Sequence, residues 1–125
     1  DCYKDRVNHR SRWFDEICQF NKDDPARLAK EIMKKANIYC GMRSNREIKK
    51  CIEDKVFDHI VEIYNPHLPK EGPESFDIDF DSLPKRYTIY NDSDLDTLRL
   101  RLLELIMKLN IIEIQKKVEE RGENF

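Results

Sequence analysis

The cysteines are the residues of this sequence best suited to covalent chemistry. All four lie in the first 51 of the 125 residues: Cys2, Cys18, Cys40 and Cys51. An even number of cysteines in a short chain that begins at Asp1 rather than at a methionine is typical of disulfides in a processed, secreted protein. The 15, 21 and 10 residues between them contain no zinc-binding spacing, so we expect no metal and no cofactor. A cytosolic protein with free thiols stays open as an alternative.

The carboxylates and histidines offer little catalytic chemistry. The alternating acids of residues 77–81 and 92–96 resemble the start of a calcium-binding loop, but both strings lack its central glycine and its bidentate glutamate. We interpret the first as a strand pattern and the second as a helix N-cap. Asp58 and His59 are adjacent, but neighbouring side chains on a helix point about 100° apart and cannot form a catalytic dyad. The sequence has only three glycines, and it contains no phosphate-binding loop and no nucleophile motif. We therefore expect that the protein is not an enzyme.

The remaining binding and modification motifs are few. Arg6, Arg10 and Arg12 come nearest to a nucleic-acid-binding patch, but they share a helix with acidic residues, so we expect no nucleic acid as a partner. No apolar run approaches the roughly 18–20 residues of a membrane span. Asn91 begins an Asn-Asp-Ser sequon, which makes it a candidate glycosylation site in a secreted protein.

Apolar residues recur at helical spacing in four segments, and capping residues mark where these segments begin. Asp24 precedes Pro25 at the start of the second segment, and Ser44 and Glu47 form a capping box at the start of the third. Gly41 ends the second segment, and an Asn-Pro pair ends the third. The pattern predicts helices over residues 3–20, 25–40, 44–63 and 93–121.

The fourth predicted helix is apolar around most of its circumference, so we expect it to be the central packing element. The connection before it, residues 65–92, is long and contains four prolines. Two arrangements of this connection stay open. Either residues 76–90 form a short β-hairpin, or the segment lies extended over the helices with Phe76, Ile78 and Phe80 in their grooves.

These elements predict an all-α fold. We expect a disulfide-stapled bundle of four main helices in a single domain, residues 1–125, with a long irregular or hairpin-containing connection between helices 3 and 4. If the first two helices are antiparallel, Cys2 lies level with Cys40. The remaining pair, Cys18 and Cys51, then differs in height by roughly 10 Å at the helical rise of about 1.5 Å per residue, so this disulfide requires a tilted helix.

A small, disulfide-stapled helical domain without catalytic groups most often acts through its surface. We therefore expect a secreted, extracellular, non-enzymatic protein that binds a host or partner macromolecule as an effector or ligand. Two alternatives stay open. A four-helix cytokine-like receptor ligand would use a long crossover such as residues 65–92. An extracellular carrier of a small hydrophobic ligand would need a cavity, with Met33 and Met107 as adaptable wall residues.

The cysteines and tyrosines of the first half of the chain resemble those of the bicycle effectors that gall-forming aphids inject into plants. That family is named for tandem Cys-Tyr-Cys motifs. The residues that carry the resemblance all lie within residues 2–51: Cys2-Tyr3, Cys18, Tyr39-Cys40 and Cys51. The resemblance implies a salivary effector that acts in host tissue and has no catalytic residues.

Overall fold

The computed structural model describes residues 3–122 of the chain. These residues contain four α-helices, two short strands and two 3-10 helices. The 3-10 helices comprise Arg6–Asn8 and Phe80–Ser82. The other elements follow in chain order: α1 (Arg10–Phe20), α2 (Arg27–Met33), α3 (Asn45–Glu53), β1 (Val61–Tyr64), β2 (Tyr87–Tyr90) and α4 (Leu95–Glu120).

The chain divides into two compact units. The first unit comprises the residues up to Ile60 together with Pro69–Tyr87. The second comprises Val61–Leu68 together with the residues from Thr88 onward. Helices α1, α2 and α3 therefore belong to the first unit, and α4 belongs to the second.

The all-α bundle predicted from the sequence is wrong. The described residues are 49% helical and contain a two-stranded parallel sheet. The predicted third helix is the main source of the error, because α3 ends at Glu53 and Val61–Tyr64 form β1. Val61 and Ile63 are β-branched, so they lose side-chain freedom in a helix and fit a strand. Lys55, with a φ of 55°, lies in the left-handed region where the chain turns out of α3.

The two strands pair with each other in parallel. The Tyr87 N–H donates to the Ile60 carbonyl at 2.9 Å, and the Asn91 N–H donates to the Tyr64 carbonyl at 2.7 Å. Of the two arrangements left open for residues 76–90, the hairpin is not the one observed, because β2 pairs with β1 rather than with the residues just before it. Parallel pairing needs a long crossover, and the chain between the two strands supplies it.

Part of this crossover packs onto α3 in the first unit. Ile78 and Leu83 form a buried cluster with Ile48 of α3, and Phe76 and Phe80 pack against that cluster. This packing corresponds to the second arrangement that the sequence left open, an extended segment held by its apolar side chains. The crossover is thus part of a hydrophobic core although it has little regular structure.

A second buried cluster joins α3 to the α2 region. Ala26, Ala29 and Cys51 are fully buried in it, and such small side chains allow close approach of the two segments. The predicted cap of α3 is confirmed, since the Ser44 hydroxyl accepts the Glu47 N–H at 3.4 Å. Both α1 and α2 are shorter than the sequence predicted. Helix α3, which contributes to both clusters, is the central element of the first unit.

The predicted disulfides are not found among the described cysteines. Cys18, Cys40 and Cys51 are free thiols. The Cys18–Cys51 prediction is wrong because Cys51 is buried against Ala26 and Ala29, whereas Cys18 is exposed. In this position Cys51 serves as a small apolar core residue. The other predicted pair, Cys2–Cys40, includes Cys2, which lies outside the described residues.

The fourth predicted helix is present as α4, but its predicted role is wrong. It begins one residue later than the Ser93 signature predicted, since the N-cap is Asp94, whose carboxylate accepts the Thr97 N–H at 2.8 Å. All 26 residues of α4 are described, and none of them is buried. This helix is therefore not the central packing element that its apolar composition suggested.

Candidate functional site

Helix α4 carries a continuous apolar surface that is exposed to solvent. Seven of its aliphatic side chains, including Leu95, are between 52% and 64% exposed, and the six from Leu100 onward form what we call the exposed face: Leu100, Leu103, Ile106, Met107, Ile111 and Ile114. These residues recur at intervals of three and four, which places them along one side of the helix. A contiguous apolar surface of this extent is typical of an interaction site.

A second apolar stripe runs along the opposite side of α4. Its members are half-buried and also follow three-and-four spacing: Leu98, Leu102, Leu105, Leu109 and Ile112. At about 100° per residue, this stripe is centred close to half a turn from the exposed face. The breadth of the apolar surface, which suggested a core helix, therefore arises from two separate stripes.

The start of α4 is held in the second unit by contacts of Arg101 and by the N-cap residue Asp94. The Arg101 guanidinium donates to the Tyr90 carbonyl at the end of β2 and to the Asp92 carboxylate at 2.6 Å. The bond from Arg101 lowers the pKa of the Asp92 carboxyl below its ordinary value. The backbone N–H of Thr97 likewise lowers the pKa of Asp94, the N-cap residue. The helix start is thus fixed while the exposed face remains accessible.

An open groove lies at the edge of the exposed face. Its volume is about 330 Å³, and it is lined by residues of α4 itself: Glu104, Met107, Lys108, Ile111 and Ile112. Pockets for small molecules usually enclose most of the ligand surface. A groove on the side of a helix is better suited to receiving a side chain of another protein.

The first unit contains a smaller pocket of about 120 Å³, which is lined by apolar as well as charged side chains. Trp13 and Tyr39 line it together with Glu47, whose residue exposure is 3%. The Tyr39 hydroxyl donates to the Glu47 carboxylate at 3.0 Å. Burial raises the pKa of Glu47, and burial together with the nearby Glu47 charge raises the pKa of Tyr39. These shifts share one cause, since the two groups are hydrogen-bonded to each other and withdrawn from water.

The cations of this pocket already have an acidic partner. Arg10 and Arg43 both line the pocket, and both donate to the Glu71 carboxylate, at 2.8 Å and 2.5 Å. The pocket is also smaller than the roughly 300–1,000 Å³ of typical small-molecule sites. We therefore regard the exposed face of α4 as the stronger candidate site.

The structure does not bring the residues predicted as sites into one constellation. Cys18 and Cys40 are exposed, and Cys51 lies in the core. Asn91, the candidate glycosylation residue, is half-exposed directly after β2. Among the described residues, no group of three or more histidine, cysteine or acidic side chains could hold a metal ion. No helix in the described part of the chain is long and apolar enough to cross a membrane.

The exposed face was missed by sequence reasoning, although the sequence contains a signal for it. Heptad spacing can be read twice along α4, once through Leu98 and once through Leu100. Two such readings half a turn apart indicate a helix with two apolar sides rather than one wide apolar band.

Comparison of the chain with protein-family models, with curated proteins and with solved structures found no match. The resemblance to bicycle effectors stays a prediction.

Proposed function

We propose that this chain is a non-enzymatic binding protein that docks another protein on the exposed face of α4. The observation that carries the proposal is the row of six aliphatic side chains that remain more than half exposed along one side of the helix. Leaving such a surface in water is unfavourable, and covering it with a partner removes that cost.

The charges of α4 favour a protein over a lipid surface as the partner. The helix contains five basic residues, Arg99, Arg101, Lys108, Lys116 and Lys117, and five acidic ones, Asp96, Glu104, Glu113, Glu119 and Glu120. Helices that lie on membranes usually have a polar face rich in lysine and arginine. A balanced mixture of acids and bases is instead common beside helix–helix interfaces.

The two other functions considered from the sequence have less support. The cytokine-like ligand required a four-helix bundle, which this fold is not. A carrier of a small hydrophobic ligand requires an enclosed cavity, but the larger of the two pockets described above is an open groove on one helix. Secretion and action in a host stay predictions from the sequence.

The proposal is tested by replacing Leu103 and Met107 together with glutamine. Both side chains are exposed, so we expect circular dichroism to show unchanged helix content in the variant. In a second preparation, a photoreactive benzophenone amino acid replaces Ile111 in the full chain. Irradiation should then yield a covalent protein adduct, and the two glutamines should abolish this adduct.

A matched control introduces Gln115→Glu, on the same helix but beside the exposed face. This variant should form the adduct as efficiently as the parent chain. Two results would contradict the proposal. One is an adduct that persists in the glutamine variant, because the contact would then not depend on the exposed face. The other is the absence of any protein adduct from position 111.

A further inference from the structure

We propose that the partner of the exposed face is a second copy of this chain, packed parallel and in register along α4. This inference rests on the proposed function and specifies its partner. It follows from three properties of α4: the heptad register of the exposed face, the charges beside it, and the apolar area that it offers.

The centre of the exposed face follows a heptad register. With Leu100 at position a, the register places Leu103 at d, Met107 at a, Asn110 at d and Ile114 at a. Four of these five central seam positions are aliphatic and one is polar, and the charged residues Asp96 and Lys117 at the flanking d positions mark the two ends of the apolar seam. This is the composition of a helix that packs against one other helix, with a polar side chain that restricts the register.

Asn110 selects the parallel orientation. In a parallel, in-register pair it lies opposite the same residue of the second copy, where the amide N–H of one side chain can donate to the amide oxygen of the other. In an antiparallel pair it would lie opposite an aliphatic residue such as Leu100 or Met107, and its amide would be buried without a partner. The same residue therefore favours one orientation and disfavours the other.

The charges beside the seam of one copy are complementary to those beside the seam of a second copy. In this register Arg99 occupies position g and Glu104 occupies the following position e, and both side chains are exposed. In a parallel pair, the g residue of one helix faces the following e residue of its partner. Arg99 of each copy thus faces Glu104 of the other. In the next heptad, Ile106 faces Ile111 in the same way and extends the apolar contact.

The area of the exposed face is suited to a reversible dimer. Six side chains that are more than half exposed offer on the order of 600 Å² of apolar surface, against about 800 Å² per partner in a standard stable complex. Buried area alone does not set the affinity, but interfaces at the lower end of the size range are typical of transient complexes. The dimer should therefore be measurable as a concentration-dependent equilibrium.

The first experiment is sedimentation equilibrium of the purified full chain. We expect a monomer–dimer equilibrium, and Met107→Glu should weaken dimerisation at least about a hundredfold because it places two charges in the seam. Gln115→Glu, which adds the same charge outside the seam, should leave the dissociation constant unchanged within about twofold. Circular dichroism of both variants checks that the helix is retained.

The second experiment tests the register by exchanging charges. Arg99→Glu alone and Glu104→Arg alone should each weaken the dimer by about tenfold, because each places like charges opposite one another twice. A mixture of these two variants should form a heterodimer with the affinity of the parent chain. In the mixture, the acids of one chain again face the bases of the other.

Each contrary result overturns a defined part of the inference. A chain that stays monomeric up to hundreds of micromolar overturns self-association. If the photoadduct from position 111 then contains a different protein, the proposed function stands, and if no adduct forms, both proposals fail. A dimer that Met107→Glu does not weaken lies elsewhere on the chain. A dimer that the mixed charge variants do not restore is not the parallel, in-register pair.

Discussion

The thiol of Cys51 should be almost inert in the native protein, although the sequence alone placed it in a disulfide. Its residue exposure is 0%, and burial, reinforced by nearby carboxylates such as Glu47, raises its pKa to about 12 from 9.0. Because the thiolate is the reactive form, this shift lowers the rate of alkylation about a thousandfold at any pH well below 9. The physical barrier of the core slows the reaction further.

The measurement is alkylation with iodoacetamide at pH 8, followed by peptide mass spectrometry over time. Cys40 is exposed and should be modified first. Cys18 is also exposed, but partial burial and nearby carboxylates such as Asp77 raise the pKa of its thiol, so it should react more slowly. Cys51 should remain unmodified until the chain opens. In guanidinium chloride all three thiols should react at similar rates, which provides the control.

Two results would refute this reasoning. If Cys51 reacted in the native protein as fast as Cys40, the cluster that contains Ala26 and Ala29 would be open to solvent, contrary to its burial. If instead the intact mass before reduction were lower by the two hydrogens of a disulfide, and a peptide containing Cys18 and Cys51 were recovered, the predicted bridge would exist after all. Either result can be read from one set of spectra.

Two further predictions concern the residues around the start of α3. Burial raises the pKa of Glu47, so its stabilising contribution is complete below about pH 4.5 and is lost as the pH rises through the raised value. The variant Glu47→Gln keeps an acceptor for the Tyr39 hydroxyl but carries no charge. It should therefore raise the midpoint of urea unfolding at pH 7 relative to the parent chain, but not at pH 4. An equal gain at both pH values would contradict the titration assigned to Glu47. Ser44→Ala removes the cap of α3 and should lower the free energy of unfolding by about 0.5–2 kcal/mol, measured by urea denaturation. Ser82→Ala is the control with a smaller change, because Ser82 is exposed at the end of a short 3-10 helix.

Local capping chemistry could be predicted from the sequence because it depends on few atoms. The cap at Ser44 lies where the pattern placed it, and the cap at Asp94 lies one residue after the predicted Ser93. Such bonds join residues three positions apart, so their partners are already close before any tertiary contact forms. The starts of α3 and α4 were therefore accessible to reasoning from spacing alone.

The end of α3 and the strand after it could not be predicted in this way. Residues 54–63 repeat at helical spacing, yet Val61–Tyr64 become a strand because Tyr87 and Asn91 supply backbone partners from far along the chain. A short apolar segment fits both the helical period of 3.6 residues and the strand period of two residues. Tertiary hydrogen bonds then decide whether it forms a helix or a strand. The pairing of Cys18 with Cys51 was what remained after Cys2 had been paired with Cys40, and spacing along the chain gave no sign that Cys51 would be buried against Ala26 and Ala29.

No residue of α4 is buried, and the composition of the helix alone could not show this. A helix with apolar stripes through Leu98 and Leu100, on opposite sides, has the same composition as a helix buried in a core. The two cases differ in the polar residues between the stripes. A core helix has no use for Arg99, Glu104 and Asn110 at matched heptad positions, whereas a helix that pairs with its own copy needs such residues to fix the orientation and register. The placement of these three polar residues is therefore more informative about α4 than the number of its leucines and isoleucines.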